Sequence, residues 1–377
     1  MIIRNCRVFN GAEFIAANAV EFMNGIVTQL YTDYSGDDGV DANGAILCPG
    51  FVDVHIHGSF GMDVMQPGGI AALIEKLPSV GTTAFCPTTC AESDEHNISF
   101  LEYVKKEMPR TDGTRVLGAH LEGPFFALEN RGAHATEQLR NPTKENYFRF
   151  AKGYEDIIRR VSLAPELPGG SELAAYLYGK GTVVAAAHTN ATAAEMEHAI
   201  GQGVFISTHT FNGFFPFHHR QENAISVVLT DPRVVCEFIP DLQHITKYAI
   251  KVILGCKGFE KTFICSDAIA AGNLKEGNFV LGGLEVKVEN YVARLASDGR
   301  LAGSTISISK GIRNLVQEVG VPLDKALRLG TLNAAKSIYK EHELGRVAVG
   351  ACADFVLLDD ALQVKSTYIR GQCVYTC

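Results

Sequence analysis

Five apolar runs in the chain end in residues that hold metals or move protons. They are Phe51-Val52-Asp53-Val54-His55-Ile56-His57, Val116-Leu117-Gly118-Ala119-His120-Leu121-Glu122, Val183-Val184-Ala185-Ala186-Ala187-His188, Val204-Phe205-Ile206-Ser207-Thr208-His209 and Thr262-Phe263-Ile264-Cys265-Ser266-Asp267. His55 and His57 stand two apart, so on a strand their side chains leave one face and two imidazoles converge on one cation. Glu122 ends a run so apolar that its carboxylate is costly unless it is paired or bound to a metal. Gly123-Pro124 then turns the chain at once. The plainer alternative for Glu122 is a salt bridge to a Lys or Arg elsewhere. His188 and His209 offer neutral imidazole nitrogen, a good donor to zinc or iron at neutral pH. Singly, either fits a structural histidine. With Glu122 they form a three-ligand set with a position left open for water, the arrangement of a catalytic metal. A carboxylate beside such a water takes its proton and returns it to a leaving group, and Asp267 is placed for that work. Asp267 also fits a further ligand or a buried structural carboxylate.

Strands buried on both faces must position these residues, because short, continuous, β-rich runs have that character. Eight such runs stand at 51–57, 82–88, 115–122, 160–165, 182–188, 204–209, 234–239 and 262–267. Helix-length segments separate them, as at 68–79, 94–108, 171–180, 192–202 and 244–255, and two amphipathic helices are predicted over 305–318 and 322–338. The alternation predicts an α/β fold, a (β/α)8 TIM-type barrel over 49–344, with the ends of its strands facing one mouth. Residues 1–48 and 345–377 have short alternating segments broken by turns such as Asn10-Gly11, Asn24-Gly25 and Asn43-Gly44. They read as one small β-sandwich domain built from both termini.

The bulk properties narrow the class. A chain of 377 residues, 46% hydrophobic and 20% charged, buries a large core without staples. A formal charge of −8 argues against a nucleic-acid groove, which needs a clustered basic face. No run approaches 18 apolar residues, so no membrane helix is expected. Met1-Ile2-Ile3-Arg4-Asn5 lacks the build of a signal peptide. Of ten cysteines Cys86 and Cys90 are close, as are Cys373 and Cys377 at the end of the chain, and no Cys-x-x-Cys occurs. Reduced, buried thiols in a cytoplasmic protein are the expectation.

Taken with Ala164-Pro165-Glu166, His188-Thr189-Asn190-Ala191-Thr192, Thr208-His209-Thr210-Phe211-Asn212, Ser266-Asp267-Ala268 and Leu301-Ala302-Gly303-Ser304, the stretch from Pro49 to Gly345 resembles the amidohydrolase superfamily. Within it, the resemblance is to the deacetylases of amino-sugar phosphates. It implies Glu122, His188 and His209 as main metal ligands and Asp267 as acid/base. His55 and His57 match a pair that some members use for a second ion, which Glu122 would bridge, so one or two ions are implied. His134, with Ala133, matches a substrate-contacting loop. Asn212, Gly213, Arg220 and His244 match positions that hold a sugar phosphate, and Leu301, Ala302 and Gly303 a loop near the acetamide. Arg220 by type alone is a solvated loop charge, but its planar fork suits two phosphate oxygens.

The implied reaction hydrolyses the acetamide of N-acetylglucosamine 6-phosphate, with a divalent ion, Zn²⁺ first and Fe²⁺, Co²⁺ or Mn²⁺ as alternatives. A cytoplasmic homodimer, with a neighbour contributing near the phosphate, is also implied. Departures at Gly213, at Pro216-Phe217-His218-His219 and at Asp241-Leu242-Gln243 lie in loops expected around the sugar hydroxyls, which keeps the galacto epimer as an alternative substrate. A dihydroorotase-like or D-aminoacylase-like hydrolase is a rival. Such enzymes often bridge their metals with a Lys on strand four, and residues 160–166 contain none. A non-catalytic sugar-phosphate-binding barrel is a second rival, disfavoured because the full ligand set and Asp267 are present.

Overall fold

The strongest apolar runs become parallel strands arranged in chain order. In the computed structural model, which describes residues 1–377, these are β1 (Phe51–Ile56), β2 (Thr82–Pro87), β3 (Ala119–Glu122), β4 (Ile158–Leu163), β5 (Val183–Ala186), β6 (Val204–Ser207), β7 (Val235–Phe238) and β8 (Thr262–Ile264). β3 to β8 form one six-stranded parallel sheet, and β1 pairs with β2. Single bridges from Thr88 to His120 and from Ile56 to Ala268 connect the two sheets on either side. The sheet is therefore curled, consistent with a TIM-type barrel. Every residue of β1, β2 and β5 is buried. That is why these strands read as unbroken apolar runs instead of alternating ones. The third predicted strand is split at Gly118, whose φ of 124° separates Arg115–Val116 from β3.

The helices between them are α1 (Gly69–Lys76), α2 (Asp94–Glu107), α3 (Lys144–Ala151), α4 (Gly170–Gly179), α5 (Ala193–Gly201), α6 (Ala224–Thr230), α7 (Lys247–Lys257) and α8 (Ile308–Asn314). Side chains of Ser93, Thr143, Thr192, Asn223, Thr246 and Ser307 cap α2, α3, α5, α6, α7 and α8. Such caps satisfy an otherwise orphaned N–H and contribute about 1 kcal/mol each. α3 and α6 are absent from the sequence reading. The Ala-Ile-Ser-Val-Val-Leu-Thr of α6 is a β-rich string, and the reciprocal Asn223–Ser226 cap starts it as a helix. The expected helix over 322–338 is two, Leu323–Leu329 and Leu332–Ser337.

Another element was not anticipated. Gly277–Leu281, Leu284–Glu289 and Val292–Leu295 form an antiparallel meander between β8 and α8. Its apolar face, with Leu281, Val286, Val288 and Leu295, closes over Cys90, Ile269, Ala271 and Ala302. The two termini build a four-stranded and a five-stranded sheet. Ile3, Val20, Phe22, Leu47, Phe355, Leu357 and Tyr368 from both ends share one apolar cluster. No helix is long and apolar enough to cross a membrane.

Candidate metal centre

Glu122 stands at the centre of the histidines. Its Oε1 lies 3.1 Å from His209 Nε2 and 3.8 Å from His188 Nε2. Its Oε2 lies 3.3 Å from His55 Nε2 and 3.2 Å from His57 Nε2. Asp267 Oδ1 closes the second side, 3.2 Å from His55 Nε2 and 3.1 Å from His57 Nε2. The strands stop short of three of these residues. His188, His209 and Asp267 follow the last paired positions with φ of 47°, 29° and 49°. Non-glycine residues adopt that left-handed backbone at about 1–3 kcal/mol each, and the turn it makes sends the side chain inward over the barrel.

Hydrogen bonds at the far nitrogens decide what each ring offers. His188 Nδ1 is 2.7 Å from the Asn130 carbonyl, His209 Nδ1 is 3.0 Å from the Asn212 carbonyl, and His57 Nδ1 is 3.2 Å from the Thr88 carbonyl. His55 Nδ1 lies 3.0 Å from Glu237 Oε1. In each case the Nδ1–H donates outward, which turns Nε2 to the centre, where its lone pair would meet a bound cation, as a metal-binding histidine requires. His134 is the reverse. Its Nδ1 accepts from the Ala91 N–H at 3.1 Å, so Nε2 carries the proton, and it faces Glu122 Oε2 at 3.8 Å. His134 is thus a hydrogen-bond donor to the cavity. Burial, with the neighbouring His188, drives its pKa down to about 3, so the ring is neutral.

Burial by itself would raise the Glu122 carboxyl, but the His55 charge beside it and the inward-facing His188 and His209 rings outweigh it and hold it well below the usual range. Asp267 is likewise lowered against its burial by His55 and His57. Both are carboxylates near neutral pH. Four inward Nε2 atoms and two carboxylates, in a pocket where His55, His57, Glu122 and Asp267 ligand atoms lie within 4.8 Å of one another, fit a metal ion.

Beneath the ligands lies a buried network that sequence reasoning missed. Fully buried Arg160 on β4 pairs with Glu237 on β7, and its Nη2 donates to Thr208 Oγ1 at 2.7 Å. Glu237 Oε1 accepts from both His55 Nδ1 and the His209 N–H, the latter at 3.1 Å. Ser162 links Thr208 to His120 at 3.0 and 2.8 Å. The only trace in the sequence was an Arg and a Glu inside apolar strands. On the outside, Glu166 of the Ala-Pro-Glu motif accepts from Thr189 Oγ1 and the Asn190 N–H at 2.5 and 2.6 Å, pinning the turn after His188. Gly213 and Gly132 crowd the same ring, since a Cβ on either would stand 2.7 Å from His188 Nδ1 or 2.8 Å from His188 Cε1.

Above the ligands opens a cavity of about 320 Å³ lined by His57, Glu122, His188, His209 and Asp267 and also by Ala133, His134, Asn212, Gly213, His244, Leu301 and Gly303. Cys90, Gly132, Leu281 and Arg300 complete the lining and were not foreseen. His244 is held by Asp241 at 2.7 Å, which outweighs burial and raises its pKa. Ala302 does not line the cavity and is buried under the meander. Arg220 does not line it either. It sits on an exposed loop with Phe215 and Phe217, its Nε 3.0 Å from His219 Nε2, and the rings of His218 and His219 stack.

The amidohydrolase family model matches residues 46–374, and the chain belongs to that family. Among its relatives, the human N-acetylglucosamine-6-phosphate deacetylase is 34% identical, over 90% of this chain and 86% of that protein. The Lysinibacillus sphaericus enzyme of the same name is 30% identical, over 99% and 97%. The Pasteurella multocida N-acetylglucosamine-6-phosphate deacetylase superposes with a TM-score of 0.93 at 26% identity, covering 99% of this chain and 98% of that one. A mutant of the Mycobacterium smegmatis enzyme, solved in complex with N-acetyl-D-glucosamine-6-phosphate, also gives 0.93, at 27% identity over 100% and 99% of the two chains.

Proposed function

We propose that this chain hydrolyses the acetamide of N-acetylglucosamine 6-phosphate to acetate and glucosamine 6-phosphate. The observation that carries the reading is Glu122, which faces four histidine Nε2 atoms and opens, beside Asp267, into a cavity of amino-sugar size. The relatives named for this reaction cover nearly the whole chain.

Glu122, His188 and His209 would hold one divalent ion, and His55 and His57, with Glu122 shared, a second; zinc suits the nitrogen-rich set. Bound there, the metal supplies Lewis acidity that makes water a nucleophile near neutral pH. Asp267, ionised at its lowered pKa, takes the proton as the water oxygen adds to the acetyl carbon. The Nε2–H of His134 donates to the carbonyl oxygen as negative charge grows on it. Asp267 then gives its proton to the nitrogen, the C–N bond breaks, and acetate and the amine leave. At the other end, His244 and the amides of Asn212 and Gly213 hold the phosphate. Arg220 reaches this phosphate from the neighbouring subunit of a homodimer, which accounts for its exposed place beside Phe215 and Phe217. Ala133, Leu301, Ala302 and Gly303 shape the sugar and acetyl walls.

Residues 49–344 form the catalytic barrel, and 1–48 with 345–377 form a small β-sandwich that braces it, in a cytoplasmic enzyme. The test is acetate release from N-acetylglucosamine 6-phosphate and from its galacto epimer, with metal content measured by elemental analysis. Release that is abolished by chelation and restored by Zn²⁺, with the gluco substrate preferred, is expected. Absence of release from either sugar phosphate by the metal-loaded protein sinks the reading.

A further inference from the structure

The cavity is lined by one arginine, and it is Arg300, not the arginine singled out from the sequence. Arg300 follows a tight turn in which Gly299 has a φ of 75°. Its own turn grips one side of the guanidinium: Nε and Nη2 donate to Asp298 Oδ2 at 2.8 and 2.6 Å. Nη1 crosses to the carbonyl of Gly132, 168 residues away in sequence, at 2.9 Å. Gly132 immediately precedes Ala133 and His134, while Arg300 immediately precedes Leu301. One planar group therefore joins two walls of the same cavity, and its fork geometry lets it hold both partners at once.

We propose that Arg300 is a positioning residue, a latch that fastens the His134 loop to the Leu301–Gly303 wall so that the His134 Nε2–H stays aimed at the reacting carbonyl. The inference rests on the deacetylase reading for its catalytic consequence, but the latch itself does not. Arg300 and Asp298 are each about two-fifths exposed, so their pair contributes little to global stability. Its effect falls on the loop.

The test has two arms, both on the full-length, metal-loaded protein. Hydrogen exchange, without substrate, reads the amides of residues 131–134. Arg300→Ala is expected to speed their exchange at least fivefold, and Arg300→Lys, which keeps one donor, by less; unchanged exchange in Arg300→Ala overturns the latch whatever the enzyme hydrolyses. Steady-state kinetics form the second arm. Losing a contact made through His134 lowers kcat and kcat/KM together. Arg300→Ala is expected to lower kcat about tenfold in the wild-type background but less than twofold in a His134→Ala background. An equal loss in both backgrounds, or a change in KM alone, removes Arg300 from this role. Wild-type protein that releases no acetate sinks the function and leaves the exchange arm to judge the latch.

Discussion

The two halves of the pocket aim their histidines by different means. His188 and His209 are oriented by main-chain carbonyls of Asn130 and Asn212, which belong to loops at the mouth. His55 is oriented by Glu237, a carboxylate tied to Arg160 deep in the barrel. A carbonyl only directs the ring, whereas a carboxylate also raises its basicity and favours the bound cation. His57, like the mouth pair, faces a carbonyl, that of Thr88, so the charged network in the core acts on the inner half through His55 alone. Glu237 reaches the mouth half only through the His209 backbone N–H, and Glu122 alone turns one oxygen to the rings of each half.

The largest break in that comparison comes from Glu122→Gln. The shared carboxylate loses its charge and one of its two oxygens, so metal content is expected to collapse and activity to fall at least ~10³-fold. Elemental analysis with full occupancy of either half would show that Glu122 does not join them. Asp267→Asn comes next. It spares the mouth half, so metal stays there while kcat drops roughly 10²–10⁴-fold; turnover near wild type would remove Asp267 from proton transfer. Glu237→Gln separates the halves directly. Affinity at the His55 side is expected to weaken about 10–100-fold with the His188 side little changed, read by chelator titration. Equal weakening on both sides would erase the distinction drawn between carbonyl and carboxylate support.

The smallest effect is at the mouth, in the Asp241–His244 pair. Burial disfavours the charged ring, yet Asp241 outweighs it and raises the folded pKa above the ordinary 6.5. A raised histidine contributes stability that is complete below about pH 6.5 and is lost as pH rises through the folded value. The stability difference between wild type and His244→Asn should therefore shrink between neutral and alkaline pH in urea titrations. A difference that grows with pH would mean that His244 is not held as an imidazolium.

The strands were legible because each is buried on both faces, so their composition announced them without knowledge of their neighbours. The ends of those strands were legible too, since a carboxylate or imidazole after an apolar run has few innocuous explanations. α6 was not, because Ala224–Thr230 is β-rich and only the Asn223–Ser226 cap and its place on the barrel make it helical. The meander at 277–295 shows clear alternation along Leu284–Glu289, but nothing in the chain says that it folds back over Cys90. Arg160 and Glu237 went unremarked because a buried ion pair is a property of two strands, and each residue by itself looks like an isolated charge.

The sequence alone determined which residues have the chemistry: a histidine pair two apart, a glutamate before a turn, two histidines and an aspartate ending apolar runs. It also determined the parallel strands that carry them, since periodicity and composition are local. Only the tertiary structure decided which histidine nitrogen faces inward, that His134 is a donor, and that Arg300, not Arg220, lines this chain's own cavity. Those facts depend on hydrogen-bond partners distant in sequence, as with Ala91 for His134 and Gly132 for Arg300. Position along the chain holds no record of such partners until the strands close around a common axis.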